Sequence, residues 1–336
     1  MRIGTICYCT DQGIAHLAKD FYDHGVITDV AIFHHSAHEN HPEWYPPGTL
    51  VIAKRPFDWP EIRDWMRQLD AMLFFETPFD WDVIGWLREQ KIKSAVMPMY
   101  ECMPKSIPHQ PDLWLCPSKL DLAYYPPPRG RYIPVPVAEP WSLRTKALRF
   151  LHNGGHLGLH GHKGTRELLL AMEHVKSPIE LTIRAQDGFG LEKILREVHS
   201  RTLVDDRLTI DTDKRSRVGL FDGFDVYVAP EKYNGLSLPL QEARAAGMLV
   251  MTSDRFPHND WLPNGPLIPV KRYFTTHISG RCNDFEEAVI EPQAVAAKID
   301  EWFGQDITAL SRSGQLWADN HSWNNLKPLY LEALSK

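Results

Sequence analysis

The sequence predicts an α/β protein built from two doubly wound parallel sheets, one in each half of the chain. The 336 residues are enough for about two domains at ~150 residues each. Short apolar runs alternate with amphipathic stretches along most of the chain, a pattern typical of parallel sheets covered by helices on both faces. Prolines cluster within residues 126–140, and the alternation then restarts at Leu148. This change in composition predicts a domain boundary near residues 138–146.

The first half opens with an apolar run from Ile3 to Cys9, which predicts a strand. Residues 12–24 place Leu17 and Phe21 at helical spacing, so a helix is expected to follow this strand. The same alternation continues up to the proline cluster. It predicts strands at residues 26–33, 71–75, 94–99, 113–116 and 132–137, and helices at residues 59–69 and 81–90.

The second half repeats this order of elements. A strand is predicted at residues 148–152, and a helix at residues 165–175, where Leu168, Met172 and Val175 share one face. The elements that follow are strands at residues 180–184, 208–210, 225–229 and 248–252, and helices at residues 191–199 and 239–246. Two such domains that face each other border a cleft at the carboxyl ends of their strands, where ligands bind.

Composition and charge exclude several classes of protein. The net charge is −6, and the first 140 residues carry more Asp and Glu than Lys and Arg, which disfavours a basic surface for duplex DNA. No apolar run approaches the ~20 residues of a membrane-spanning helix, and the first residues enter a strand instead of a signal peptide. The five cysteines are odd in number and scattered, as is typical of buried thiols in a reducing compartment. We therefore expect a cytoplasmic protein of unknown oligomeric state.

The segment from Pro230 to Gly247 carries the strongest chemical pattern. A predicted strand leads into a glycine-containing turn. A helix then begins with Pro239 at its first position and ends at Gly247. The backbone N–H groups of the turn would point out of the helix start, where the helix dipole favours an anion such as a diphosphate. Glu242 lies about one turn inside this helix, where its carboxylate can accept hydrogen bonds from vicinal hydroxyls such as those of a ribose. The turn residues expected to bind the anion are Gly235, Leu236, Ser237 and Leu238.

This segment resembles the donor-binding motif of retaining GT-B glycosyltransferases, in particular those of family GT4. The family pattern is a proline, then Glu-Gly-Phe-Gly-Leu-Pro, then Glu-Ala and a glycine, and it matches from Pro230 to Gly247 without a gap. One departure is Asn234, which stands where the family has its first Glu. A second match lies upstream, where Lys163 and Gly164 open a predicted helix as a Lys-Gly pair does in the family.

The resemblance implies a donor site on the second domain. Lys163 would pair with the donor diphosphate, and Glu242 would bind the ribose hydroxyls, so both are candidate catalytic as well as binding residues. Asn234 would face the transferred sugar, where an amide still forms hydrogen bonds but carries no charge.

The resemblance also implies a second cation in this site. The family often has an arginine just after the glycine that follows the strand, and that place is occupied here by Gly155 or His156. His156 can donate to a phosphate oxygen, and Arg184 is a candidate to supply the missing positive charge.

Candidates for the acceptor side lie in the first domain. Gly13 begins the helix after the first strand and would sit beneath the reacting sugar. Glu76 and Glu101 each end a predicted strand on the cleft side, where a carboxylate can bind acceptor hydroxyls or take a proton. Of the two, Glu101 is the candidate catalytic residue. The 16 histidines show no helix-aligned set of three or four ligands, so we expect neither a metal site nor a cofactor.

The sequence thus predicts a two-domain protein of GT-B architecture. The resemblance implies that residues 1–140 bind the acceptor, residues 147–312 bind a nucleotide-sugar donor, and residues 313–336 form a C-terminal helix that packs back on the first domain. It implies transfer of a sugar, a hexose by expectation, from a nucleoside diphosphate to a hydroxyl of an unidentified acceptor with retention. Two alternatives stay open: a glycosyltransferase whose acceptor is a modified base of nucleic acid, and a GT-B-like protein that binds without catalysis.

Overall fold

The contacts in a computed structural model divide the chain into two units. The first unit contains Met1–Pro136, Ser279–Asn283 and Trp323–Lys336, and the second contains Val137–Ile278 and Asp284–Ser322. Most of the predicted helix at residues 191–199 lies outside the residues that the structure describes. Those residues are 1–36, 38–52, 59–155, 161–185, 194, 198, 205–213, 217, 219–262, 265–277 and 282–335.

A parallel sheet of seven strands forms the centre of the first unit. Its strands are β1 Ile3–Tyr8, β2 Asp29–Phe33, β3 Leu50–Ile52, β4 Ala71–Glu76, β5 Lys93–Pro98, β6 Leu113–Cys116 and β7 Gly130–Tyr132. The order across the sheet is β3-β2-β1-β4-β5-β6-β7, so the direction of winding reverses between β1 and β4. Because helices cover both faces of such a sheet, its strands read as continuous apolar runs, which is why the sequence showed them clearly.

Among the described residues, four α-helices connect these strands. They are α1 Gly13–Asp23, α2 Trp59–Met66, α3 Asp82–Glu89 and α4 Lys119–Tyr124. The helix α1 buries Leu17, Ala18 and Phe21, the positions at helical spacing in the sequence.

A parallel sheet of six strands forms the centre of the second unit. Its strands are β8 Arg149–Gly155, β9 Glu180–Ala185, β10 Leu208–Asp211, β11 Val226–Ala229, β12 Leu249–Ser253 and β13 Leu267–Ile268. The order is β10-β9-β8-β11-β12-β13, so the winding reverses between β8 and β11. The described helices of this unit are α5 Thr165–Ala171, α6 Leu238–Ala245, α7 His258–Trp261, α8 Pro292–Trp302 and α9 Thr308–Asn320. Two doubly wound parallel-sheet domains are therefore confirmed.

An antiparallel hairpin, which the sequence pattern did not predict, follows β13. It consists of β14 Arg272–Thr276 and β15 Phe285–Val289. The side chains of β14 are mostly exposed, so this strand lacks the buried apolar run by which the other strands are recognised.

The last helix, α10 Trp323–Ser335, packs within the first unit. The ring of Phe21 meets Trp323 and Tyr330 edge to face, at centroid distances of 5.1 and 4.8 Å. The Tyr330 hydroxyl donates to the carbonyl oxygen of Ile133 at 3.0 Å. The C-terminal segment forms two helices, α9 and α10, and only α10 belongs to the first unit. Across the described ranges, no helix combines the length and the apolar character needed to span a membrane.

Candidate functional site

The candidate donor site lies where β8, β11 and β12 end. These strands are neighbours in the six-stranded sheet, and the winding reverses between β8 and β11. Ligands of open α/β sheets bind at the carboxyl ends of the strands beside such a reversal. Lys163, Asn234, Gly235, Leu236, Ser237, Leu238 and Glu242, which the sequence predicts for this site, come from the segments that follow β8 and β11.

A buried ion pair joins two of these segments. The Lys163 ammonium donates to Oε1 of Glu231 at 2.8 Å, and the Ser237 hydroxyl donates to the same oxygen at 2.8 Å. The Glu231 side chain is fully buried, and that of Lys163 is 15% exposed. Sequence reasoning missed Glu231, because its partner lies 68 residues earlier and only the adjacency of β8 and β11 brings the two together.

Gly164 allows the two segments to approach so closely. Its φ is +71°, and a Cβ at this position would lie 2.0 Å from the carbonyl oxygen of Pro230. The backbone N–H of Lys232 also donates to the carbonyl oxygen of His162 at 2.7 Å. No residue other than glycine combines this backbone conformation with this contact, so Gly164 fixes Lys163 beside Glu231.

The Asn234 side chain organises the turn before α6. Its Oδ1 accepts hydrogen bonds from the backbone N–H groups of Leu236, at 3.1 Å, and Ser237, at 2.9 Å. Two of the four amides expected to bind a diphosphate are therefore occupied by Asn234. Ser237 has φ +45°, a left-handed conformation that is strained for a non-glycine residue, and Leu238 is the first residue of α6.

Glu242 is buried on α6, one turn from its start. Its Oε1 accepts a hydrogen bond from the guanidinium of Arg217 at 2.7 Å. Arg217 was not predicted, and it compensates the charge of a carboxylate that the sequence assigned to ribose binding. The pKa of the buried Tyr227 phenol is raised well above its ordinary value by burial and then by the charges of Glu231 and Glu242.

The candidates for the second cation differ in how far the structure describes them. Gly155 ends β8 with φ +56° and open space beside its Cα. His156 lies outside the described residues. Arg184 on β9 donates to Asp211 at 3.1 Å and to the carbonyl oxygen of Leu220. It lines a cavity of about 420 Å³ whose walls also include Thr182, Thr209, Ile210, Asp211, Thr212, Asp213 and Phe224.

Two histidines near the centre are buried and neutral. The His258 Nε2 lies 3.6 Å from Oε2 of Glu231, and the ring has no exposed surface. Burial lowers the pKa of His258 well below its ordinary value, and the positive charges of Arg255 and Lys163 lower it further. Burial likewise lowers the pKa of His152 to about 4. The His152 ring and the Thr165 hydroxyl are joined by a hydrogen bond between Nε2 and Oγ1 at 2.7 Å.

In the first unit, Gly13 is the first residue of α1 and is exposed, with open space around the position of a Cβ. Glu76 is the last residue of β4, as predicted, and has φ +65°. Glu101 does not end a strand: β5 stops at Pro98, and Glu101 lies in the 3₁₀ turn Tyr100–Cys102 that follows. A proline at the strand end and the turn after it explain this shift in position.

Glu76 and Glu101 both lie near the half-buried thiol of Cys102, and Glu101 also lies near the buried carboxyl of Asp121. Burial raises the pKa of the Cys102 thiol, and the charges of Glu76 and Glu101 raise it further. Asp121, which the sequence did not single out, accepts hydrogen bonds from the Ser118 hydroxyl and the Tyr100 backbone N–H. Burial raises the pKa of Asp121 to about 7. The end of β4, the turn after β5 and the start of α4 thus form one acidic cluster.

Metal-ligating residues are not gathered in the part of the chain that the structure describes. No group of three or more His, Cys, Asp or Glu side chains has an arrangement that could hold an ion there. All five cysteines are free thiols.

Comparison with known proteins adds evidence on the fold. No family model and no curated protein matches this sequence. Solved structures do match. Anabaena Alr3699/HepE in complex with UDP has a TM-score of 0.68 at 11% identity, with both chains covered completely. Sucrose-phosphate synthase from Thermosynechococcus elongatus has a TM-score of 0.67 at 15% identity, again with complete coverage of both chains. This protein has the GT-B fold.

A third match differs in length. A chain of the GtfA/B complex has a TM-score of 0.57 at 17% identity; the match covers 82% of this chain but only 60% of that one.

Proposed function

We propose that this GT-B protein is a glycosyltransferase that moves a sugar from a nucleoside diphosphate to a hydroxyl, with retention of configuration. The observation that carries the proposal is the fixed ammonium of Lys163 at the carboxyl ends of β8 and β11. An ammonium has three N–H donors, and Glu231 takes one of them. The other two are available for phosphate oxygens.

Lys163 acts on the leaving group. As the bond between the sugar C1 and the phosphate oxygen breaks, negative charge grows on the diphosphate, and a preorganised cation stabilises that charge without reorganisation. The acceptor oxygen forms the new bond to C1, and its proton passes to the departing phosphate oxygen. Glu231 positions Lys163 for this step because the buried carboxylate holds the ammonium in one place.

Glu242 binds the ribose, and Asn234 lies next to the transferred sugar. Glu242 keeps one carboxylate oxygen for ribose hydroxyls while the other accepts from Arg217. The Asn234 side-chain oxygen holds the turn, so its NH₂ group is the part that remains for a sugar hydroxyl. In the first unit, the acidic cluster that contains Glu76 and Glu101 binds acceptor hydroxyls.

Uracil is the base to test first. HepE, which shares the fold along its full length, has also been solved with UDP and glucose and with UDP-glucose. The names of the matching structures give no support to a nucleic-acid acceptor, which leaves that alternative disfavoured.

The test is a thermal-shift panel of UDP, GDP, ADP, dTDP and CMP and their sugar derivatives. A ligand at ~100 times its Kd adds ~2.7 kcal/mol of stability, which corresponds to a shift of several degrees. We expect a shift with UDP and UDP-sugars, and release of UDP from the sugar in the presence of EDTA, since we expect no metal requirement. No shift with any nucleotide at millimolar concentration would overturn the proposal, and a shift without turnover under any acceptor would favour a binding protein.

A further inference from the structure

Of the cations predicted for the donor site, Lys163 is the one that the structure places beside Glu231, whereas the diphosphate of a nucleotide sugar carries a negative charge on each phosphate. The backbone amides of Leu236 and Ser237 donate to Asn234, so they do not compensate the second charge. Arg184 donates to Asp211 and to a backbone carbonyl, on the cavity formed by β9 and β10. Within the part of the chain that the structure describes, a second cation therefore has to come from another segment.

Arg255 is the candidate for this second cation because of its position. It lies two residues after the end of β12, and it is only 5% exposed. Its Nη1 donates to the carbonyl oxygen of Asn234 at 3.1 Å, so the guanidinium lies against the turn that leads into α6. The backbone of Arg255 is held at both ends, because its N–H donates to Ser253 at 2.8 Å and its carbonyl accepts from Asn259 at 3.0 Å.

Arg255 and Lys163 both affect the side chain of His258. His258 lies 3.6 Å from the Glu231 carboxylate, and its pKa is lowered by burial first and then by the positive charges of both Arg255 and Lys163. The two cations therefore lie around the same buried group.

We propose that Arg255 is a second diphosphate-binding residue of the donor site, contacting the phosphates from the side of β12 while Lys163 contacts them from the side of β8. The inference rests on the proposed function, since it assigns a residue to the same donor. A guanidinium is suited to this role because its planar fork can donate two parallel hydrogen bonds to one phosphate. No sequence pattern indicates this role, since Arg255 lies outside the motif from Pro230 to Gly247.

The experiment compares UDP with uridine as ligands for wild-type protein and Arg255→Gln. We expect UDP affinity to fall roughly 10- to 100-fold, the range for hydrogen bonds to a charged group. Uridine affinity should change less than twofold, because uridine has no phosphate. Arg312→Gln, an exposed arginine on α9, is the matched control and should bind both ligands as the wild type does.

The comparison separates a phosphate-binding role from a structural one. Equal losses for UDP and uridine would mean that Arg255 only supports the Asn234 turn, and an unchanged UDP affinity would also overturn the inference. Absence of UDP binding to the wild-type protein would instead refute the UDP-dependent function on which the inference rests. If Arg255→Gln does not fold, Arg255→Lys provides the test. Loss of the planar guanidinium should lower the affinity for UDP about 3- to 10-fold and leave the affinity for uridine unchanged. A UDP affinity equal to that of the wild type would refute the role.

Discussion

Replacing Glu231 with Gln tests the buried ion pair directly. The Glu231 carboxylate is fully buried and lies 2.8 Å from the Lys163 ammonium, which is 15% exposed. Removing one partner of a buried ion pair costs about 3–5 kcal/mol, because the other charge is left uncompensated. Since Lys163 retains some contact with water, the lower end of this range applies, and Gln still offers Ser237 an acceptor. We expect a loss of about 3 kcal/mol in the free energy of unfolding of the second unit.

The assay is thermal unfolding followed by circular dichroism. For a unit of this size, about 3 kcal/mol corresponds to a decrease of about 6–12 °C in Tm. Glu301→Gln is the matched control, because Glu301 pairs with Lys298 at the similar distance of 2.7 Å but is 54% exposed. Exposed pairs contribute about 0–1 kcal/mol, so the control should barely shift Tm. Equal shifts for the two variants would refute the argument that burial makes the Glu231 pair important.

Three further predictions cover donor binding, backbone geometry and pH. Glu242→Ala should raise the donor KM at least tenfold in initial-rate measurements, and an unchanged KM would exclude a role in donor binding. Gly164→Ala should cost more than about 2 kcal/mol in urea unfolding, because the new Cβ clashes with backbone at φ +71°; Gly304→Ala, at φ +75° with open space, is the control and should cost less. Lowering the pH from 6.5 to 5 should destabilise the second unit by about 2 kcal/mol through His152, whose pKa of about 4 lies below its unfolded value, so the unfolded chain binds the proton. Asp121, whose pKa is raised to about 7, has the opposite effect on stability: the folded first unit binds its proton, so this unit becomes more stable as the pH falls. The calorimetric transitions of the two units should therefore move in opposite directions. Movement of both transitions in the same direction would contradict this assignment.

The two sheets could be predicted because buried parallel strands produce apolar runs that local patterns detect. The strand predicted at residues 113–116 matches β6, and the helix predicted at residues 239–246 differs from α6 by one residue at each end. The exposed β14 gives no such pattern, and β3 is only three residues long, so both escaped prediction.

The site was less predictable, because its contacts depend on which strands are neighbours. The motif singled out Lys163 and Glu242 as candidates from their positions along the chain. The partners Glu231, Arg217 and Arg255 become visible only when the order β8-β11-β12 brings distant segments together. A single sequence does not reveal strand order, so these residues could not be singled out from it.

The path of the chain also has a consequence for biosynthesis. The first unit is completed by α10, whose Trp323 and Tyr330 cover Phe21, so the second unit is in effect inserted between two parts of the first. During vectorial synthesis the second unit can fold as soon as it leaves the ribosome, whereas the seven-stranded unit, although made earlier, keeps an apolar surface uncovered until the last helix emerges. The order of folding is then the reverse of the order of translation, and the nascent first unit is the stage most exposed to chaperones and to aggregation.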